Sequence, residues 1–139
     1  MPSDAELSEL FAQTRTIALV GWSPKQDRPS HRVARFLASR GYRVIPVNPG
    51  QAGQDSGLGE VVRASLSDID EAVDMVDIFR RSDEVGPVVQ EALTAFPDLK
   101  TVWMQLGVIN EDAAEAARAA GIRVVMDRCP AIEIPRLGL

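Results

Sequence analysis

Short unbroken apolar runs alternate with longer stretches in which apolar residues return every three or four positions, and the alternation continues along the whole chain. Ile17 to Val20 reads as a strand buried on both faces, because a strand with one wet face would alternate polar and apolar residues, and Val44 to Val47, Val73 to Phe79, Thr101 to Met104 and Ile122 to Met126 read as the other four strands. Four longer stretches read as helices. Ser3 to Ala12 places Leu7, Leu10 and Phe11 on one face, and Pro29 to Ser39 does the same with Val33, Phe36 and Leu37 before stopping at Gly41. Ser82 caps a third helix running to about Phe96, with Pro87 tolerated near its start. Asn110 caps a fourth, whose Ala113, Ala114, Ala117 and Ala120 form a small-residue face, and Gly121 closes it. A brief helix is expected near Leu66 to Glu71. Pro49 to Gly59 carries four glycines and predicts a mobile surface loop, and Cys129 to Leu139 predicts an ordered irregular segment. Strands alternating with helices across one domain predict an α/β, Rossmann-like, doubly wound fold: a mainly parallel five-stranded sheet with helices on both faces.

Composition narrows the function classes. The chain has 139 residues, enough for one good core, and carries 15 basic against 20 acidic residues for a net charge of -5. That balance argues against a general electrostatic grip on nucleic acid or an anionic membrane, so any anion site must be local. Lys25 and Lys100 are the only lysines. The single cysteine, Cys129, cannot form an internal disulfide or a thiolate metal cluster within one chain. No signal-peptide pattern and no membrane-length apolar run is present, so a cytoplasmic protein is expected.

The stretch from Ile17 to Ser30 carries the most specific chemistry. An apolar strand runs into Gly21, which permits a sharp turn and close backbone approach, and a helix then opens at Pro29 with Asp27 or Ser30 as its cap. The free N–H groups and dipole of that helix favour an anion, with Lys25 and Arg28 adding positive charge. In doubly wound sheets, ligands bind beyond the carboxyl ends of the strands. That rule gathers Gly21, Trp22 and Ser23, then Asn48 and Pro49, then Phe79 to Ser82, Gln105 to Gly107, and Asp127 to Pro130. Asn48 stands where dinucleotide-binding domains place an acid on the ribose, so an additional phosphate near the adenosine is less repelled. Arg80 and Arg81 can pair with such a phosphate if they face the cleft, although Arg81 reads rather as a solvated residue. Trp22 is either a lid on the ligand or a partly exposed packing residue, whereas Trp103, inside an apolar strand, belongs to the core. Cys129 reads as a packed residue before Pro130, and His31 has no evident catalytic partner. No catalytic residue and no metal-ligand set is assigned.

Several of these segments together resemble the small stand-alone CoA-binding domain proteins, relatives of the N-terminal nucleotide-binding domain of the succinyl-CoA synthetase alpha subunit. The resemblance is carried by Ile17 to Gly21, Asp27-Arg28-Pro29-Ser30, Gly41 to Pro49, Val76 to Arg80, Val102 to Gly107 and Val125 to Glu133. It implies that coenzyme A or an acyl-CoA lies with its pyrophosphate over Gly21 to Ser23, near Lys25, Arg28 and Ser30. The adenosine would lie by Val47, Asn48, Pro49, Phe79 and Arg80, and the pantetheine along Gln105, Leu106 and Gly107. The chain departs from the pattern at Gly50, where relatives often carry a basic residue, at Trp22, where a small residue is usual, and at Arg63, where an aromatic is common. The expected function is binding of a small CoA ligand without chemistry of its own. The alternatives are an NAD(P)-dependent oxidoreductase or acyl-transfer enzyme using the same cleft, and a ligand-sensing regulatory module.

Overall fold

A computed structural model describes residues 2–139. Five strands, β1 (Thr16–Val20), β2 (Arg43–Val47), β3 (Met75–Ile78), β4 (Thr101–Met104) and β5 (Arg123–Val125), form one parallel sheet in the order β2-β1-β3-β4-β5. The chain builds outward from β1 to β2, then returns past β1 and continues the other way from β3. The switch therefore falls between β1 and β3, whose register pairs Val20 with Ile78.

Both faces of the sheet are covered, which is why its strands are mostly apolar, Ile17 to Val20 of β1 without a break. On one face Ala18, Val20, Ile78 and Met104 pack with α3 (Val85–Ala95) and α4 (Glu111–Ala119), where the alanines Ala114 and Ala117 let the helix approach closely. On the other, Ile17, Leu19, Met75 and Trp103 meet α1 (Asp4–Ala12), α2 (Pro29–Ser39) and α5 (Pro130–Arg136). Phe11 lies with its ring centroid 5.5 Å from that of Trp103. The fully buried Trp103 still satisfies its indole by donating to the Arg128 carbonyl at 2.7 Å.

Several local expectations are corrected. The tail contains α5, a seven-residue helix with Pro130 in its first turn and Ile134 buried; its hold comes from tertiary packing, which a short, proline-containing segment does not advertise. The loop after β2 is tied down: Gly53 donates to Val62, Val62 to Gln54, and Arg63 to Pro46, at 2.8 to 3.0 Å. This folds the segment back along β2 and covers part of that edge strand. Ser82 begins a 3₁₀ turn (Ser82–Glu84) rather than capping α3, and its Oγ accepts from the Ile109 N–H at 3.0 Å. The brief helix after the loop is a single 3₁₀ turn, Leu66–Asp68. Phe36 is only partly buried, with the Arg40 guanidinium over its ring.

Candidate functional site

The turn leaving β1 sits at the switch between β1 and β3, and close approach of the two strands dictates its first residue. Gly21 has φ +88°, and a Cβ there would stand 2.1 Å from the Phe79 carbonyl oxygen. The N–H groups of Gly21 and Trp22 donate to the Val47 carbonyl at 2.9 and 3.3 Å. Trp22 then turns its ring inward: it is 2% exposed and stacks on His31, so it is neither a lid nor a partly exposed residue. Its size is accommodated by the core.

The first turn of α2 grips the same loop. Ser30 Oγ accepts from the Ser23 N–H at 3.1 Å, and His31 Nδ1 donates to the Ser23 carbonyl at 2.9 Å. The expected helix cap is therefore corrected, because Arg28 occupies the cap position without a side-chain bond and Ser30 serves the neighbouring turn. The turn N–H groups of residues 21 to 23 are also consumed internally. Among the described residues, no backbone carbonyl accepts from the Ser30 N–H, so that group, the Ser30 hydroxyl hydrogen, Lys25 and Arg28 form the donor set. Ser30, Lys25 and Arg28 line a cavity of about 350 Å³ together with Gly21, Ser23, Pro29 and Phe79. Its lining holds two cations and no carboxylate, a local reversal of the acidic whole.

A second cavity, of about 400 Å³, is lined by Val20 and Arg80, the chain neighbours of Gly21 and Phe79 at the first. Val47, Pro49, Leu66 and Val88 supply apolar walls, and Arg80, Asp83, Glu84 and Glu91 supply charge. Asn48 is engaged at both ends of its amide: Nδ2 donates to the Trp22 carbonyl at 2.7 Å, and Oδ1 accepts from the Gly50 N–H at 2.9 Å. It braces the turn after β1 against β2. Asn48→Ala, which removes both bonds, is expected to lower unfolding free energy by about 1–3 kcal/mol, read from urea denaturation.

The end of β4 lies outside both cavities. Leu106 and Ile109 are exposed, and the loop carrying them is held by the Gly107 N–H donating to Asp127 Oδ1 at 2.7 Å, with Asp127 itself at φ 58°. Gln105 is buried, and its amide nitrogen donates to both oxygens of Asp77, at 2.9 and 3.1 Å. Asp77 went unassigned at the sequence level; its signal was a lone charge inside an apolar strand. Its complete burial pushes the carboxyl well above the ordinary range, against the opposing donors, the Ile78 N–H and the Gln105 amide. Cys129 is buried at the start of α5. Among the described residues, no group of three or more His, Cys, Asp or Glu is placed to hold a metal, and no helix is long and apolar enough to cross a membrane.

The family model described as a CoA binding domain matches residues 15–135. A Bacillus subtilis (strain 168) protein described as uncharacterized protein YneT is 39% identical over 128 residues, covering 92% of this chain and 91% of its own. A solved structure from Thermus thermophilus, cell-free ID.343, superposes with a TM-score of 0.91 at 39% identity, covering 98% of this chain and 99% of that one. A dinucleotide-forming acetyl-coenzyme A synthetase 1 from Ca. Korarchaeum cryptofilum, in complex with phosphate and ADP, matches with a TM-score of 0.69 at 28% identity. That match covers 86% of this chain and 26% of the synthetase.

Proposed function

Because this chain belongs to the CoA-binding domain family, we propose that it binds coenzyme A or an acyl-CoA in the cleft at the β1/β3 switch. The observation that supports the reading is a pair of unlike cavities lined by successive residues at the ends of β1 and β3: a cationic cradle at the start of α2, lined by Gly21 and Phe79, and an apolar-walled slot lined by Val20 and Arg80. A diphosphate suits the first, because Lys25, Arg28 and the Ser30 donors lie at a helix N-terminus whose first turn is fastened to Ser23. An adenine ring suits the second, between Val47, Pro49, Leu66 and Val88. The pantetheine would then leave the cradle toward Gln105, Leu106 and Gly107.

The role assigned to these residues is binding. The cradle contributes charge and hydrogen-bond donors to a ligand anion, and neither buried Cys129 nor the His31 ring clamped to Ser23 is assigned a reaction step.

Calorimetric titration of ligand-stripped protein with coenzyme A, NAD and NADP tests the reading. Saturable binding of coenzyme A is expected to weaken about fivefold for Lys25→Ala or Arg28→Ala, and about thirtyfold for the double variant, as exposed charge-assisted contacts are lost. Affinity unchanged in the double variant would remove the cradle from the site, and a preference for NAD or NADP would favour the oxidoreductase alternative.

A further inference from the structure

We infer that the nucleoside end of this cleft is built for a ribose without a 3′-phosphate, so that dephospho-coenzyme A binds at least as tightly as coenzyme A. This specificity rests on the coenzyme A reading above and refines its ligand. The second cavity, beyond the end of β3, is lined by one cation, Arg80, against three carboxylates, Asp83, Glu84 and Glu91.

The cation is already committed. Arg80 Nη2 and Nε lie 2.6 and 2.9 Å from Glu84 Oε2, so its Nε/Nη2 edge is occupied and its charge is matched by a carboxylate. Glu84 also takes Arg81, at 3.2 Å, and Arg81 meets Asp83 at 3.4 Å. Arg63, beside the end of β2, is spent on Glu60 at 3.2 Å and on the Val61 carbonyl. Glu91 is fixed at the wall by the Ser67 hydroxyl at 2.9 Å. Gly50, next to Pro49 at the rim, contributes no side chain.

A 3′-phosphate entering this slot would have to exchange with Glu84 at that edge of Arg80, or share the cation with it, and would then face the remaining carboxylates. Ribose hydroxyls are donors, and a carboxylate-lined wall accepts them without that exchange. The charge is thus sorted along the cleft, with cations where a diphosphate sits and carboxylates where a sugar sits. Glu84 is the specificity-determining residue, acting through Arg80.

The test compares coenzyme A with dephospho-coenzyme A by calorimetry on the full chain, at one ionic strength of about 0.1 M, where charges beyond roughly 10 Å are screened. Wild-type protein is expected to bind dephospho-coenzyme A with equal or higher affinity. Glu84→Gln releases Arg80, and the ratio of the two affinities should move about fivefold or more toward coenzyme A. Arg80→Ala should not raise the preference for dephospho-coenzyme A. A wild-type preference for coenzyme A of tenfold or more would overturn the inference, as would a ratio unmoved by Glu84→Gln. Binding of neither ligand would instead overturn the coenzyme A reading itself and the specificity with it.

Discussion

Replacing Gly21 with alanine is expected to cost about 3–5 kcal/mol of unfolding free energy and to abolish measurable binding of coenzyme A. Two effects add. The residue sits at φ +88°, where an L side chain is disfavoured by roughly 1–2 kcal/mol. The new Cβ would also stand 2.1 Å from the Phe79 oxygen and 3.0 Å from its carbon, which are backbone atoms and cannot rotate away. Phe79 is itself held to β1 by its N–H donating to the Val20 carbonyl at 2.8 Å. Relief requires β1 and β3 to part at the switch, which displaces the Ser23 turn and separates the two cavities. Against a usual domain stability of about 5–15 kcal/mol, that is a large fraction. Gly50→Ala is the control, because a Cβ there meets only Asn48 Oδ1 at 3.5 Å; its expected change is within about 0.5 kcal/mol. Urea denaturation of the two variants checks the contrast, and a Gly21→Ala loss below about 1 kcal/mol would show that the strands yield easily.

The second large effect is a pH-dependent stability set by Asp77. Its carboxyl lies fully buried in β3, level with Leu19 on one side and Trp103 on the other, and its one side-chain partner is the Gln105 amide. Burial holds the folded carboxyl in its neutral form well above the ordinary value of 3.8. The unfolded chain releases that proton near its ordinary value while the folded chain keeps it. The contribution of Asp77 to stability therefore falls as pH rises above about 4, with a slope approaching 1.4 kcal/mol per pH unit, until the folded carboxyl also ionises. Asp77→Asn removes this slope, so the stability of the variant relative to wild type should increase with pH. Taking the difference cancels groups of opposite sign such as Asp74. Burial raises the Asp74 carboxyl, but the Thr16 and Arg15 N–H groups and Lys100 outweigh it and leave it below its ordinary value. Denaturation of both proteins from about pH 4 to 8 gives the answer, and parallel profiles would mean that Asp77 ionises in the fold as it does in the unfolded chain.

The elements most legible in the chain were those whose causes are local. β4 is a continuous apolar run and spans Thr101–Met104 as read; α2 begins at Pro29, shows one apolar face and stops before Gly41, and spans Pro29–Ser39 as read. Asn110 caps α4 through the Ala113 N–H, a contact three residues away. The pairing of Arg80 with Glu84 was also within reach, because four residues is a standard spacing for an ion pair at a helix start. What escaped was whatever depends on a partner distant in sequence. α5 is held by Ile134 in the core and by Arg136 reaching Glu133 and, far along the chain, Asp4.

Along the cleft, sequence placed Gly21, Ser23, Lys25, Arg28 and Ser30 in one short segment, so their gathering around one cavity followed from chain connectivity and the strand-to-helix turn. Which of their groups remain available for a ligand did not. Ser30 Oγ is bound to Ser23, Trp22 points into the core, and Asn48 is consumed by Trp22 and Gly50. The amino-acid order alone determined the five buried strands, their parallel arrangement and the acid-poor segment at the first turn, because apolar periodicity, turn residues and charge are properties of neighbours in the chain. The strand order that puts the switch between β1 and β3, the closeness of Gly21 to Phe79 and the burial of Asp77 were decided only by the tertiary structure. Each depends on two segments about 60 residues apart in the chain packing together, and no local pattern records that contact.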